Sequence, residues 1–144
     1  MMHTSVSDML RTAPKGPFIQ SDSLAACIDA CFDCAQACTA CADACMGEDN
    51  VKMLGRCIRL NQDCADLCGS AGRLLSRQQQ PDIDLLRATV MLCELACRKC
   101  ADECDQHASH HEHCRVCAVS CRGCEQSCQS LLQSFDKEKP QVRH

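Results

Sequence analysis

The sequence lacks the residues on which most β-sheet cores depend. It contains no tryptophan and no tyrosine, and only three of its 144 residues are phenylalanine. β-Branched residues are few beside the many alanines and leucines, whereas strands are enriched in aromatic and β-branched side chains. A chain of this length can bury one sizeable core. These absences favour an all-α protein with a single domain.

Strong charge is also lacking. The chain has 15 lysines and arginines against 19 aspartates and glutamates, which gives a net charge of -4. The basic residues are scattered, whereas proteins that bind nucleic acid carry them in a patch. We therefore expect no nucleic-acid partner.

Long apolar runs are missing too. The first residues, MMHTSVSDMLRTAPKG, include no apolar segment of signal-peptide length and no twin arginine. No stretch approaches the length of a membrane span. We expect a cytoplasmic protein with no membrane partner, in which the thiols stay reduced.

Catalytic signatures are absent from the sequence. It shows no paired-carboxylate pattern, no nucleophile elbow and no phosphate-binding loop. Its cysteines are too many and too uniform in spacing to single out one nucleophile. We expect no enzymatic activity, no catalytic residue and no residue that binds an organic cofactor.

Cysteine is what the sequence has in excess. The chain has 18 cysteines, and six of them recur between Cys27 and Cys45 at alternating steps of four and three residues. This alternation lines one face of a helix, where coiled coils carry leucine or isoleucine. One or two buried cysteines can serve as small hydrophobic residues. So many in phase indicate a row of metal ligands.

Four long helical segments carry all the cysteines, each on one face of its helix. Short connections make successive helices antiparallel, so we predict an all-α, antiparallel four-helix bundle with a cysteine-lined core. The segments are expected from Ser21 or Asp22 to Met46, from after Asp49 or Asn50 to about Gln79, from after Asp82, and from around His110–His113. Their candidate metal ligands are Cys27, Cys31, Cys34, Cys38, Cys41 and Cys45; Cys57, Cys64 and Cys68; Cys93, Cys97, Cys100 and Cys104; and Cys114, Cys117, Cys121, Cys124 and Cys128.

A short helix is expected before the bundle, because Val6, Met9 and Leu10 have helical spacing and Pro14 follows them. The predicted organisation is an N-terminal extension at residues 1–20, the bundle at residues 21–136 and a frayed C-terminal tail at residues 137–144.

Cu(I) suits a helical row of thiols best. Side chains at i and i+4 have Cβ atoms roughly 5–6 Å apart, so two sulfurs can reach one ion. Zinc sites usually take cysteine pairs from turns, and iron–sulfur proteins take them from short non-helical runs. One monovalent ion per deprotonated cysteine keeps the interior neutral, which predicts multiple Cu(I) ions, about 18 per chain. A zinc or general soft-metal buffer and an iron–sulfur electron carrier remain the alternatives.

One end of the predicted bundle gathers histidines. We call the row of cysteines on each helix its stripe. Steps of three or four residues beyond the third and fourth stripes reach His107, His111 and His110, which are candidate copper ligands or else residues of a solvated turn. His113 lies off the stripes and is left out. Asn61 stands where the second stripe misses a cysteine. It is either a metal-site residue or a buried residue that sets the helix register.

The other end gathers leucines, which predicts an apolar plug. Leu24, Leu75, Leu86 and Leu131 continue the stripes, with Leu74, Leu85 and Leu132 beside them. Met46 and Met53, near the histidines, are interpreted as ordinary packing residues.

Over residues 21–135 the chain resembles the bacterial copper storage proteins, specifically their cytosolic branch. The resemblance lies in the six-cysteine first segment, the CELACRKCADEC run and the CRVCAVSCRGCEQSC run. It implies a four-helix bundle filled with Cu(I), a homo-oligomer (a tetramer), and no catalytic turnover. It also implies that copper passes through one end, onto which His107, His110 and Asn61 map. A copper chaperone or a small thiol is the expected copper donor.

Overall fold

The computed structural model describes residues 5–137, and these form five α-helices and no strand. The helices are α1 (Val6–Thr12), α2 (Asp22–Met46), α3 (Gly55–Leu75), α4 (Ile83–His107) and α5 (Glu112–Lys137), with a 3-10 turn at Val51–Leu54. In the bundle α2 and α4 each pack against both α3 and α5. The predicted antiparallel four-helix bundle and the short N-terminal helix are confirmed. The tail expected from residue 137 lies, from residue 138 on, outside the described residues.

Side-chain caps explain where two of the bundle helices begin. The Ser21 hydroxyl accepts a hydrogen bond from the Ser23 N–H at 3.2 Å, and the Asp82 carboxylate accepts one from the Leu85 N–H at 3.1 Å. Such caps satisfy backbone donors that the first turn of a helix leaves unpaired. The predicted starts of α2 and α4, and the end of α2 before Gly47, are therefore confirmed.

The second bundle helix is shorter than predicted. It was expected to reach Gln79, but α3 ends at Leu75. The buried Gln78 side chain ends it, because its Nε2 donates to the Leu75 carbonyl at 2.8 Å and its Oε1 accepts from the Ile19 N–H at 2.9 Å. Gln78 thus satisfies the helix end and also fastens the segment that leads into α2.

Leucines close one end of the bundle. Leu24, Leu75, Leu86 and Leu131 are at most 3% exposed. Leu85 was expected beside them, but it is 60% exposed, since it lies on the outer face of α4. We call the end formed by the four buried leucines the closed end and the opposite end, where α2 and α4 finish, the mouth.

The first bundle helix meets the length and composition of a membrane span. An 18-residue window of α2 has a mean hydropathy of 1.3, so the expectation that no stretch approaches a span was wrong by that measure. The apolar character comes largely from cysteine and alanine, and the cysteines of α2 are buried against the other bundle helices. This is the composition of a core helix in a bundle.

Candidate metal centre

The helices place all 18 cysteines in the interior of the bundle. Each cysteine is free and at most 2% exposed. Each bundle helix contributes a single stripe, because steps of three and four residues keep the side chains on one face. The result is one column of sulfur atoms along the bundle axis, which we call the thiol column.

Neighbouring sulfurs in the thiol column lie at van der Waals distance across helix boundaries. The sulfurs of Cys27 and Cys128 are 3.9 Å apart near the closed end, and those of Cys34 and Cys121 are 3.7 Å apart in the middle. Toward the mouth, Cys57 and Cys104 are 3.8 Å apart. These separations are far longer than the S–S bond of a disulfide, about 2.0 Å. They leave room for a soft metal ion between thiolates.

Sulfurs of the thiol column form groups that share members. In five of these groups, four sulfurs lie within 4.8 Å of one another, so each group could hold a metal ion. Cys34, Cys38, Cys121 and Cys124 each belong to two of these five groups. The five are Cys31, Cys93, Cys124 and Cys128; Cys34, Cys68, Cys97 and Cys124; Cys34, Cys38, Cys64 and Cys121; Cys38, Cys100, Cys117 and Cys121; and Cys41, Cys45, Cys57 and Cys114. A sulfur that belongs to two groups can bridge two neighbouring metal ions as a thiolate.

Burial keeps protons on the thiols nearest the mouth. It raises the pKa of Cys45, and it raises the pKa of Cys114 to about 12. Deeper in the column the thiols act on one another: hydrogen bonding with Cys121 lowers the pKa of Cys34, and hydrogen bonding with Cys100 raises the pKa of Cys38. An all-thiolate interior would leave many buried charges unpaired. Cations that enter the column must therefore displace protons.

Asn61 fills the gap in the α3 stripe. Its side chain is fully buried, and its Nδ2 donates to the Cys57 carbonyl at 2.8 Å and to the Cys57 sulfur at 3.3 Å. Its Oδ1 accepts hydrogen bonds from the thiols of Cys117 at 3.0 Å and Cys100 at 3.2 Å. The amide therefore joins sulfurs from three helices.

His113, which the stripe pattern leaves out, reaches the thiols. Its Nδ1 lies 3.5 Å from the Cys41 sulfur and 3.6 Å from the Cys114 sulfur. Its Nε2 lies 2.8 Å from the Glu48 carboxylate. Hydrogen bonds from His113, together with the charge of His111, lower the pKa of Glu48. The step of four residues from His113 to Cys117 was the sequence signal for this placement.

The three histidines predicted as ligands have other neighbours. His107 Nε2 lies 2.8 Å from the buried carboxylate of Glu103, and His111 Nδ1 lies 2.8 Å from Glu48. His110 is exposed in the turn before α5. All three lie at the mouth, as predicted, but the side chains of His107 and His111 pair with carboxylates at its rim.

The two methionines at the mouth are not packing residues. Met46 is 51% exposed and Met53 is 74% exposed. Met46 ends α2, and Met53 lies in the 3-10 turn that follows, so neither side chain enters the bundle core.

Comparison with known proteins gives a consistent set of matches. The profile of the family described as "Copper storage protein" (Csp) matches residues 20–133. The copper storage protein Ccsp from Streptomyces lividans, solved with 10 copper equivalents, is 48% identical with a TM-score of 0.87, over 90% of this chain and 99% of that one.

Two further solved structures match. A cytosolic copper storage protein from Streptomyces lividans, solved with five coppers, is 52% identical with a TM-score of 0.77, over 78% of this chain and 93% of that one. The Cu(I)-bound copper storage protein BsCsp3 is 34% identical with a TM-score of 0.68, over 77% of this chain and 99% of that one.

Proposed function

The chain belongs to the copper storage protein family, and on that premise we propose that it stores Cu(I) in the cytosol as thiolate clusters inside the bundle. The observation that carries the proposal is the thiol column, in which all 18 cysteines are free, buried and arranged in groups that share sulfurs. Copper is the cargo of the protein, and it would enter and leave by exchange between ligands. No catalytic turnover is part of this function.

The number of ions follows from charge. Each Cu(I) that displaces one thiol proton leaves the buried column neutral, which gives about 18 ions per chain. A zinc buffer, with four thiolates around each ion, would hold about four ions per chain. The distances between sulfurs suit both metals, so the count separates them.

An anaerobic Cu(I) titration with a chromogenic competing chelator measures this count. We expect saturation near one ion per cysteine, with ultraviolet thiolate-to-copper absorption and no visible colour. Saturation near four equivalents, or displacement of Cu(I) by equimolar zinc, would contradict the proposal. A brown protein as isolated would instead identify the iron–sulfur alternative.

We propose the 18 cysteines as the copper ligands, with Asn61 Oδ1 and His113 Nδ1 as additional ligands near the mouth. The proposal for these two rests on their distances to cysteine sulfurs, 3.0 Å from Asn61 Oδ1 to Cys117 and 3.5 Å from His113 Nδ1 to Cys41. His107, His110 and His111 then act at the rim, where copper first arrives. The copper-binding unit would be residues 21–136, with residues 1–20 as an accessory segment.

We also propose a homo-oligomer, which the sequence resemblance implies to be a tetramer, and a copper chaperone or small thiol as donor. The outer face of α4 supports contact between copies, since Met91, Leu92 and Leu95 are 39–55% exposed and have the spacing of one helix face. Light scattering after size exclusion tests this, and a monomer at micromolar concentration would contradict it.

A further inference from the structure

Glu48 joins two histidines across the mouth. It lies in the turn after α2, where its N–H donates to the Cys45 carbonyl at 3.2 Å. Its Oε2 atom lies 2.8 Å from His111 Nδ1 and 2.8 Å from His113 Nε2. Both histidines stand at the start of α5, so one carboxylate ties the end of α2 to the beginning of α5.

The carboxylate decides which nitrogen of His113 carries a proton. An ionised carboxylate only accepts hydrogen bonds, so the nitrogen that faces it must be the N–H donor. In a neutral imidazole the other nitrogen then keeps its lone pair. For His113 that other nitrogen is Nδ1, which faces the sulfurs of Cys41 and Cys114.

Glu48 also fixes the direction of the ring. The His113 side chain is 26% exposed, so without a partner its ring has solvent into which it can turn. The ring of His111 stacks on it with centroids 5.5 Å apart, and Glu48 holds both rings. A carboxylate behind a metal-binding histidine typically changes metal affinity by about 10- to 100-fold.

We infer that Glu48 is the positioning residue of the mouth: it holds the proton of His113 on Nε2 and so presents the Nδ1 lone pair to Cu(I) between Cys41 and Cys114. This inference rests on the proposed copper storage. It assigns to Glu48 the control of how tightly the ions nearest the mouth are held. We expect ions deeper in the thiol column to be unaffected.

The first test needs no copper. We would record long-range ¹H–¹⁵N spectra of the histidine rings at one neutral pH in the full-length apo protein and its Glu48→Ala variant. We expect a single Nε2–H tautomer for His113 in the parent protein and a mixture of tautomers in the variant. Glu48→Gln, which keeps an acceptor oxygen, restores the Nε2–H form in part. An unchanged His113 spectrum in Glu48→Ala would overturn the inference.

A matched control stands at the first residue of α5, between the two histidines. Glu112 is an exposed carboxylate that pairs with Arg115. We expect Glu112→Ala to leave the His113 spectrum unchanged. If the spectrum of Glu112→Ala resembled that of Glu48→Ala, the loss of any carboxylate at the mouth would have the same effect, and the inference would be overturned.

The second test follows copper transfer to excess Cu(I) chelator from fully loaded protein. We expect the first ions to leave about 10- to 100-fold faster in Glu48→Ala, with total capacity unchanged. In a His113→Ala background the same substitution adds nothing, because the two residues act as one unit. A full effect that persists without His113 would overturn the inference. A low copper capacity of the parent protein would refute the proposed storage function but not the role of Glu48, because the apo spectra test Glu48 separately.

Discussion

The closed end and the mouth are built from the same four helices with opposite chemistry. At the closed end Leu24, Leu75, Leu86 and Leu131 bury aliphatic side chains that need no ligand. At the mouth, Cys41 and Cys114 adjoin His113, which is held by Glu48. On the proposed function, the fold separates two tasks along its axis: metal-independent packing at one end and metal exchange at the other.

The thiol column between these ends contributes little to the stability of the apo protein. Burying a leucine side chain stabilises a fold by about 1.5–3 kcal/mol, whereas cysteine is a small side chain with less apolar surface. The leucines and the caps must hold the empty bundle together. We therefore expect substitutions at the two ends to differ in how much they change stability and copper binding.

Copper itself is expected to give the largest effect. Only the folded bundle brings the ligands together, so Cu(I) binds the folded state alone. At a free Cu(I) concentration 1,000 times the dissociation constant of a site, each bound ion adds about 4 kcal/mol to the free energy of unfolding. Urea unfolding followed by circular dichroism would compare loaded protein with chelator-stripped protein. Equal urea midpoints would show that copper does not bind within the folded bundle.

At the closed end, Leu75→Ala is expected to destabilise the apo protein by about 2–5 kcal/mol, since it leaves a cavity at a fully buried position. Leu85→Ala, on the exposed face of the neighbouring helix, is the control and costs less than about 0.5 kcal/mol. Both variants should keep the parent copper capacity. A lower capacity in Leu75→Ala would contradict the separation of tasks.

Between the two ends, Asn61→Ala is expected to cost about 1–3 kcal/mol in the apo protein, because the thiols of Cys100 and Cys117 lose their buried acceptor. Asn61→Asp keeps an acceptor oxygen and so tests the acceptor separately from the Nδ2 donor. Thermal unfolding of the three apo proteins measures this. If Asn61→Ala matched the parent protein, the hydrogen bonds to the amide oxygen would carry no stability.

At the mouth, we expect the affinity for copper to decrease as the pH is lowered. Burial raises the pKa of Cys114 to about 12, so this thiol is protonated at neutral pH and must release its proton to bind Cu(I). Each released proton weakens binding about tenfold, or about 1.4 kcal/mol, per pH unit of acidification. Competition with a chelator of known pH dependence at pH 6.5 and 7.5 checks this. A pH-independent affinity would mean that the ligands are already thiolates.

Sequence periodicity predicted the column well, because the steps between cysteines follow helix geometry directly. From Cys27 to Cys45 the alternation of three and four defined one buried face, and Ser21 and Gly47 marked its limits. The resemblance to copper storage proteins, drawn from the same cysteine runs, is confirmed by the family match.

The mouth was harder to predict, because turns do not follow a helical period. His113 stands at the start of α5, where its ring turns back to Cys41 on a helix 72 residues earlier in the chain. The carboxylate that holds it, Glu48, lies in a different turn. Likewise, the end of α3 depends on Gln78 reaching Ile19, a tertiary contact that no local pattern indicates.

The most direct test of the central claim is a crystal structure of the fully loaded protein with copper anomalous differences. We expect a continuous series of copper peaks along the bundle axis, from the level of Cys27 and Cys128 to that of Cys45 and Cys114, each between sulfurs. Copper peaks confined to the histidines of the rim, with an empty thiol column, would contradict it.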